Sequence, residues 1–264
     1  MDLQQRLDQL TTDRNNYECK DKERNRGKHV IALLGASAVG KSTIIGACKE
    51  RAFDWGIESI AEAGTTGTRA PRPGDPSNYN MGVPREEAID MIEQGEPANW
   101  SLMPTGEIYL TLPSDFPAQY NFMACLPDSI PMLKRAGFDK IHSIYVVTEV
   151  DAWVDQLASR LYTADTISLP EEERQYRPDA LGRVEEAISS LEYAMSTCSI
   201  LKISNTPGEE ALTKTADAIL ATAKGLSVVY AINTSQLDMF EKNAREMYSR
   251  AIDIAYKIRV ATQK

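Results

Sequence analysis

Apolar residues follow two alternating patterns along the chain from His29 onward. Short apolar runs typical of buried strands alternate with longer stretches in which apolar residues recur three or four positions apart, as they do in amphipathic helices. The strand candidates are Val30–Leu34, Asn121–Leu126, His142–Val147 and Ser199–Ile203. Strands that alternate with helices favour βαβ crossovers. The pattern therefore predicts a three-layer α/β fold, with helices on both faces of a central, mostly parallel sheet.

Residues 64–112 depart from this alternation. They contain a loop rich in proline and glycine at 71–76, one helical stretch at Glu86–Gln94, and two short strand candidates around Trp100 and Tyr109. A segment with its own helix and strands, placed between two strands of the main pattern, is predicted to be an insertion that moves as a unit.

The two ends of the chain are predicted to be extensions, over residues 1–28 and 226–264. In the C-terminal extension, apolar residues three and four apart form a seam on one long helix. The seam consists of Leu237, Phe240, Ala244, Met247, Ala251, Ile254, Ile258 and Ala261. Two interpretations stay open, a helix packed on its own domain and a coiled-coil contact that makes a homo-oligomer. The charged stretch Lys20–Lys28 is predicted to be a solvated linker.

Composition and charge narrow the classes of protein. The chain has 264 residues, of which 42% are hydrophobic and 25% charged, as in an ordinary soluble globular protein. Its net charge of −9 argues against broad binding to nucleic acid or to an anionic membrane. It has no apolar run of about 18 residues and no signal-peptide pattern. Four scattered cysteines and two histidines fit a reducing compartment, so a cytoplasmic protein is expected.

The strongest chemical motif is the octapeptide Gly35–Ser42, which satisfies the P-loop pattern G-x-x-x-x-G-K-[ST] between a predicted strand and a predicted helix. Its glycines allow successive backbone N–H groups to point at phosphate oxygens. Lys41 is expected to bridge the β- and γ-phosphates, and the Ser42 hydroxyl to bind Mg²⁺. The residues predicted to bind the nucleotide are Gly35, Ala36, Ser37, Ala38, Val39, Gly40, Lys41, Ser42 and Thr43.

A second motif lies at Thr65–Asp75, where Arg69 and Arg72 stand three residues apart among prolines. Two planar guanidinium groups suit a phosphate dianion. Taken alone, the motif fits equally well an exposed loop whose arginines pair with nearby carboxylates.

Together the two motifs resemble the guanylate kinase family, from about residue 29 to about residue 223. In that family a T-R-x-P-R-x-G-[DE] segment holds the phosphate of the acceptor GMP. The resemblance implies a P-loop kinase domain over 29–225 that uses ATP and Mg²⁺. It also implies that residues 64–112 bind the acceptor and that residues 160–183 form a lid.

The resemblance also implies roles for individual side chains. Asn205 corresponds to a residue beside the adenine of ATP, and Arg183 to one that points at the transferring phosphoryl group. Arg160 and Arg177 are further lid candidates, between which the sequence does not choose. The implied catalytic residues are Lys41, Arg72, Arg160 and Arg183, and the implied acceptor-binding residues are Arg69, Arg72, Tyr79, Asn99, Tyr109 and Thr111.

The departures from the family are concentrated where it reads guanine. The family's glutamate before the tryptophan is Asn99 here, and its two acidic residues on the next strand are Ala124 and Leu126. Losing these carboxylates predicts weakened guanine recognition unless another residue substitutes, and it removes the usual partner of Mg²⁺. The candidate substitutes are Asn99, Asp128 and Glu107 for guanine, and Asp128, Glu149 and Asp151 for Mg²⁺.

Three functions follow from these observations. The first is an ATP-dependent nucleoside monophosphate kinase, and the second is a P-loop kinase of another phosphorylated acceptor such as ribose bisphosphate. The third is an inactive guanylate-kinase-like interaction module. The intact Gly40-Lys41-Ser42 favours the two enzymes, whereas the C-terminal seam and the altered base pocket favour the module. The nucleoside monophosphate kinase is the main prediction.

Overall fold

The computed structural model describes residues 1–103, 105–197, 201–205, 208–226 and 234–262. In chain order its strands are β1 (His29–Leu34), β2 (Ile60–Glu62), β3 (Thr65–Gly67), β4 (Tyr79–Met81), β5 (Asn99–Leu102), β6 (Ile108–Thr111), β7 (Tyr120–Ala124), β8 (Lys140–Thr148) and β9 (Leu201–Asn205). Its α-helices are α1 (Leu3–Asp13), α2 (Lys41–Arg51), α3 (Arg85–Glu93), α4 (Ser129–Arg135), α5 (Val150–Leu161), α6 (Ala180–Ser196), α7 (Glu209–Ala223) and α8 (Thr234–Thr262).

The larger sheet has five strands in the order β2-β7-β1-β8-β9. Strand β2 pairs with β7, and β8 pairs with β9, both in parallel. The predicted α/β fold with a parallel central sheet is therefore confirmed. Residues 199 and 200 of the fourth predicted strand lie outside the described residues, and β9 begins at Leu201.

The chain divides into two compact units. The first comprises Met1–Ala32 and Gly56–His142, which includes the predicted insertion and the N-terminal residues. The second comprises Leu33–Trp55 and Ser143–Lys264, which includes the P-loop and the C-terminal helix.

The first unit contains a four-stranded sheet in the order β4-β3-β6-β5. One face of this sheet is apolar, because strand residues alternate between faces and Trp100, Ile108 and Leu110 fall on the same one. These three residues are buried in a cluster that includes Ala88, Ile89 and Ile92 of α3 and Leu7 of α1. The apolar face thus forms the core of the unit and leaves the opposite face for polar side chains.

The N-terminal residues belong to this core. Arg6 forms ion pairs with Asp90 and Glu93 of α3, at 2.5 and 2.7 Å. Further along, the buried Asn25 donates a hydrogen bond to the Ala136 carbonyl, at 2.7 Å. Within Lys20–Lys28 the charged residues Lys20, Arg24 and Arg26 are exposed, as predicted for a solvated segment, whereas the buried Asn25 anchors the backbone between them.

The C-terminal helix α8 packs against α5, α6 and β9 of the second unit. Six of the eight seam residues are buried there, namely Phe240, Ala244, Met247, Ala251, Ile254 and Ile258. Tyr248 and Arg259 flank the seam and bond to Glu192 and Glu185 of α6, both at 2.8 Å. The seam thus covers its own unit. A contact with a second subunit through this helix stays a prediction, and it would use other faces of the helix.

None of the helices in the described ranges is both long and apolar enough to cross a membrane.

Candidate functional site

The P-loop occupies the connection between β1 and α2 in the second unit. At Gly35, φ is +144°, and a Cβ there would lie 2.5 Å from the Val146 carbonyl oxygen. Gly40 has φ +87° and is the N-cap of α2. Only glycine accommodates these two requirements, so the two glycines of the motif give the loop its shape. The first N–H groups of α2 then have no helical partner and are suited to an anion.

Lys41 is the first residue of α2, and its side chain folds back over the loop. Its Nζ donates hydrogen bonds to the carbonyl oxygens of Gly35, at 2.6 Å, and Ala36, at 3.0 Å. The ammonium group is thereby held at the mouth of the loop, while Ser42 and Thr43 are exposed. A phosphate in the loop would meet a positive charge that is already in place.

An open cleft of about 460 Å³ lies beside the loop. Its lining residues are Ser37, Ala38, Gly40, Lys41, Ser42 and Thr43 of the loop and α2, and Gln156, Ser159 and Arg160 of α5. Two of these residues are basic and none is acidic, although the whole chain carries a net charge of −9. The cleft therefore suits an anion.

The structure distinguishes the three lid arginines. Arg160 lines the cleft, whereas Arg177 and Arg183 do not. The guanidinium of Arg183 donates to Asp179 Oδ2 from Nε, at 2.9 Å, and from Nη2, at 2.5 Å. Arg177 Nε lies 3.7 Å from Asp179 Oδ1. Asp179 therefore holds the arginine that the resemblance directs at the phosphoryl group, because the two residues stand one helical turn apart.

Asn205 lies beside the start of α2. Its amide nitrogen is 3.2 Å from the position that a Cβ on Gly40 would occupy. Its Oδ1 is buried and has no hydrogen-bond partner among the described residues. A buried acceptor without a donor is costly, and a ligand N–H would satisfy it.

The polar face of the small sheet, in the first unit, gathers the predicted acceptor residues. Directly opposed residues of neighbouring strands share a face. The opposed pairs on this face are Asn99 and Thr111, Ser101 and Tyr109, Gly67 and Tyr109, and Thr65 and Tyr79. Four residues predicted from separate stretches of sequence (Tyr79, Asn99, Tyr109 and Thr111) therefore lie on one surface.

Arg69 is held by the carboxylate at the end of its own motif. Its Nη1 and Nη2 donate to Asp75, at 2.9 and 2.6 Å, and the Tyr109 hydroxyl also interacts with this guanidinium. The hydrogen bond from Arg69, together with one from the Arg72 backbone N–H, lowers the pKa of Asp75 to about 2. The Arg72 side chain is exposed. Arg69 is thus paired with a carboxylate, as expected for an exposed loop, and it also lies beside Tyr109 of the polar face.

Of the three candidate substitutes for the lost guanine-reading acids, only Asn99 lies on the polar face. Asn99 is 4% exposed, and its Oδ1 has no hydrogen-bond partner among the described residues. Glu107 accepts a hydrogen bond from Thr105, and Asp128 forms an ion pair with Arg14. Both carboxylates are therefore already engaged.

No pattern in the sequence predicts the contacts of Arg14. Besides its ion pair with Asp128, its Nη2 donates to the Trp100 carbonyl oxygen, at 2.6 Å, and to Ser101 Oγ, at 3.3 Å. Its guanidinium lies 5.1 Å from the Trp100 ring centre. The N-terminal segment thus supports β5, the strand that carries Asn99. An arginine in a charged terminal segment has no local signal for such a contact.

Trp153 of α5 is a second residue that sequence reasoning missed. It is fully buried, and its indole N–H donates to the Ser37 carbonyl oxygen of the P-loop, at 2.9 Å. A tryptophan on an amphipathic helix is expected to be buried, but its contact with the loop has no local signal in the sequence.

A metal at the P-loop would have few protein ligands. No group of three or more His, Cys, Asp or Glu side chains in the described part of the chain is arranged to hold a metal. Asp151 instead lines a groove between α5 and α8, with Arg250 and Asp253. Mg²⁺ typically keeps several waters and binds through phosphates, so the exposed Ser42 hydroxyl fits that mode of binding.

A strand, a glycine loop, a helix and a lysine folded over the loop define the class of P-loop α/β proteins. No model of a known protein family matches the chain. The chain is 38% identical over 81 residues to a guanylate kinase of Nocardia farcinica (strain IFM 10152). These residues make up 30% of this chain and 39% of that protein. Over this stretch the chain is similar to a guanylate kinase, which confirms the predicted resemblance, and the match spans about two fifths of that relative's length.

Among solved structures, the chain is similar to the crystal structure of guanylate kinase from Anaplasma phagocytophilum. The TM-score is 0.47 at 14% sequence identity, over 81% of this chain and 92% of that one.

Proposed function

We propose that the chain transfers the γ-phosphoryl group of ATP to a nucleoside monophosphate, giving ADP and a nucleoside diphosphate. The observation that carries the proposal is the polar face of the small sheet, where an arginine and two tyrosines lie on the same surface as two buried neutral polar residues. This face occurs in a chain that also has an intact P-loop. Phosphoryl transfer needs two anions to be held and their charge offset, and each unit offers one such site.

On the donor side, the N–H groups of the P-loop and the Lys41 ammonium hold the β- and γ-phosphates. Arg160, which lines the same cleft, adds positive charge. Asn205 Oδ1 accepts a hydrogen bond from the amino group of adenine. When Mg²⁺ is bound, beside the Ser42 hydroxyl, it offsets charge on the phosphates.

On the acceptor side, Arg69, Arg72 and the hydroxyls of Tyr79 and Tyr109 hold the acceptor phosphate. Asn99 and Thr111 form the opposite, neutral end of the site. None of the strand residues on the polar face is basic. Arg14, which donates to Ser101 Oγ beside this end, is already paired with Asp128. A second phosphate would have to displace that carboxylate to gain a counter-charge, whereas a base would find hydrogen-bonding groups. The face therefore favours a nucleoside monophosphate over a ribose bisphosphate.

A coupled assay of ADP release tests the proposal. The purified chain is given ATP and Mg²⁺ with GMP, AMP, CMP or UMP, their deoxy forms, or ribose bisphosphate. We expect turnover with at least one monophosphate and none with ribose bisphosphate. The Lys41→Ala variant is the control for contaminating kinases and is expected to be inactive.

Two results would contradict the proposal. Turnover with ribose bisphosphate alone would assign the second predicted function. ATP binding without turnover of any acceptor would assign an interaction module.

A further inference from the structure

The contact between Trp153 and the P-loop fixes one particular peptide group. The indole N–H donates to the carbonyl oxygen of Ser37, at 2.9 Å. In a trans peptide the C=O and the following N–H point in opposite directions, because the unit is planar. A Ser37 carbonyl that points at Trp153 therefore holds the N–H of Ala38 pointing away from it.

Ala38, the residue that follows this peptide group, has a strained backbone. Ala38 has φ +69°, and within the described ranges no other residue besides glycine has a positive φ. A side chain with a Cβ disfavours this left-handed conformation, which persists where the surroundings hold it. The hydrogen bond from Trp153 acts on the same peptide group that leads into this residue.

Trp153 is suited to hold the P-loop in place, because its own side chain has little freedom to move. Its side chain is fully buried in the second unit. It lies on α5, whose next two turns carry Gln156, Ser159 and Arg160, which line the cleft beside the loop. One helix therefore both fixes the loop and forms part of the wall of its cleft.

We propose that Trp153 is a positioning residue for the P-loop. Its indole N–H holds the Ser37–Ala38 peptide in the strained orientation that directs the Ala38 N–H at a nucleotide phosphate. Trp153 acts through the loop and contacts no nucleotide. The inference rests on the proposed nucleotide binding, and it adds a residue outside the P-loop motif to that site.

The first test is the Trp153→Phe variant, which removes the indole N–H and keeps an aromatic ring in the buried position. The dissociation constant for ATP with Mg²⁺, measured by calorimetry, is expected to rise about five- to tenfold, the size of one lost hydrogen bond. The acceptor KM is expected to stay unchanged. Unchanged ATP affinity would overturn the proposal.

Trp55 provides a matched control in the same unit. Its indole N–H donates to Asp217 Oδ1, at 2.8 Å, and not to the P-loop. The Trp55→Phe variant loses a comparable hydrogen bond and is expected to bind ATP as the unaltered chain does. Equal weakening in both variants would mean that loss of any such bond weakens binding, and it would also overturn the proposal.

The second test separates positioning from general packing. Glycine adopts φ +69° without strain, so the Ala38→Gly variant needs less help to keep the loop conformation. In the Ala38→Gly background, Trp153→Phe is expected to raise the dissociation constant by less than twofold, and the two changes are expected not to add. Additive effects would mean that Trp153 contributes only packing.

A third measurement applies if Trp153→Phe fails to fold. With Trp55 and Trp100 changed to Phe, Trp153 is the one remaining tryptophan of the three in the chain. ATP is then expected to shift or quench its emission, and emission that ATP leaves unchanged would overturn the proposal. ATP binding without turnover in the unaltered chain would remove the proposed kinase function and leave this inference standing. No ATP binding at all would remove both.

Discussion

At the scale of the residue, one carboxylate organises the two arginines of the acceptor motif. Asp75 receives two hydrogen bonds from the Arg69 side chain and one from the Arg72 backbone, the last at 2.7 Å. The two guanidinium groups therefore differ, because that of Arg69 is held in place and that of Arg72 is exposed. In the proposed acceptor site, Arg72 would reach the phosphate without first leaving Asp75, to which the Arg69 side chain is bound.

Replacing Arg72 with alanine is expected to raise the acceptor KM about tenfold and to lower kcat, because a charge-assisted contact to the phosphate is lost. The KM for ATP is expected to stay unchanged in the same steady-state assay. Arg26, which is exposed and pairs only with Glu23, offers a control whose change to alanine leaves both constants alone. Normal acceptor kinetics in the Arg72 variant would remove its role in holding phosphate.

His142 links stability to pH. Its side chain is buried beside Lys140 and His29, and burial, followed by these two groups, lowers the pKa to about 4. The unfolded chain takes up a proton near the ordinary pKa of about 6.5, whereas the folded chain does not, so acidification between these values favours unfolding. The free energy of unfolding is expected to fall by up to about 1.4 kcal/mol per pH unit in this window.

Urea denaturation at several pH values between 7 and 4 measures this effect. The His142→Gln variant, which does not titrate there, is expected to show a shallower dependence on pH. Equal slopes in the two proteins would show that other groups cause the dependence.

At the scale of the element, local patterns predict what a segment forms and not what it contacts. Continuous apolar runs predicted β1, β7 and β8, because each of these strands is largely buried. The seam of α8 predicted a long helix but left its partner open, since an apolar face does not specify what covers it. The structure supplies that partner as α5, α6 and β9.

Replacing Arg14 with alanine tests the role of the N-terminal segment in supporting β5. This change removes the support of the Trp100 carbonyl and leaves Asp128 without its partner. The acceptor KM is expected to rise about fivefold, and the free energy of unfolding to fall by about 1–3 kcal/mol, as for loss of hydrogen bonds to a charged group. Steady-state kinetics and denaturant titration measure the two effects.

Arg6, on the neighbouring helix α1, is the matched comparison for Arg14. It pairs with Asp90 and Glu93, carboxylates whose side chains are 48% and 38% exposed. Arg6→Ala is expected to lower the free energy of unfolding by about 1 kcal/mol or less and to leave the acceptor KM unchanged. If both variants change the acceptor KM equally, the segment acts through general stability and not through β5.

At the scale of the whole molecule, the position of the P-loop between a strand and a helix could be predicted from the sequence, whereas the arrangement of the proposed acceptor site could be predicted only in part. The loop is encoded in eight consecutive residues whose glycines and lysine have local roles. The residues of the polar face could be named through a family resemblance. The contacts that support the two sites could not be predicted, because Arg14–Asp128 and Trp153–Ser37 join residues more than 100 positions apart.

Phe240 tests which surface the C-terminal helix covers. It is fully buried and packs edge-to-face on Tyr145, with ring centres 6.1 Å apart. Phe240→Ala is expected to lower the free energy of unfolding by about 3–5 kcal/mol, because it leaves a cavity in the core. The loss is expected at any protein concentration, since the cavity lies within one chain. Tyr256, 69% exposed on the same helix, is the control, and its change to alanine is expected to stay within about 0.5 kcal/mol. A cost that depends on protein concentration would indicate a contact between subunits.

In the proposed acceptor site, the pairing of Arg69 with Asp75 would select among ligands before any base is bound. Asp75, bound to the Arg69 guanidinium, would compete with any incoming anion. A ligand carboxylate carries the same single negative charge as Asp75 and would therefore not displace it. A phosphate monoester offers a second charge and a third oxygen, but only while it is doubly ionised, above its second pKa of about 6. Asp75, with its pKa of about 2, stays ionised throughout. Acceptor affinity should therefore weaken below about pH 6 through the chemistry of the ligand itself.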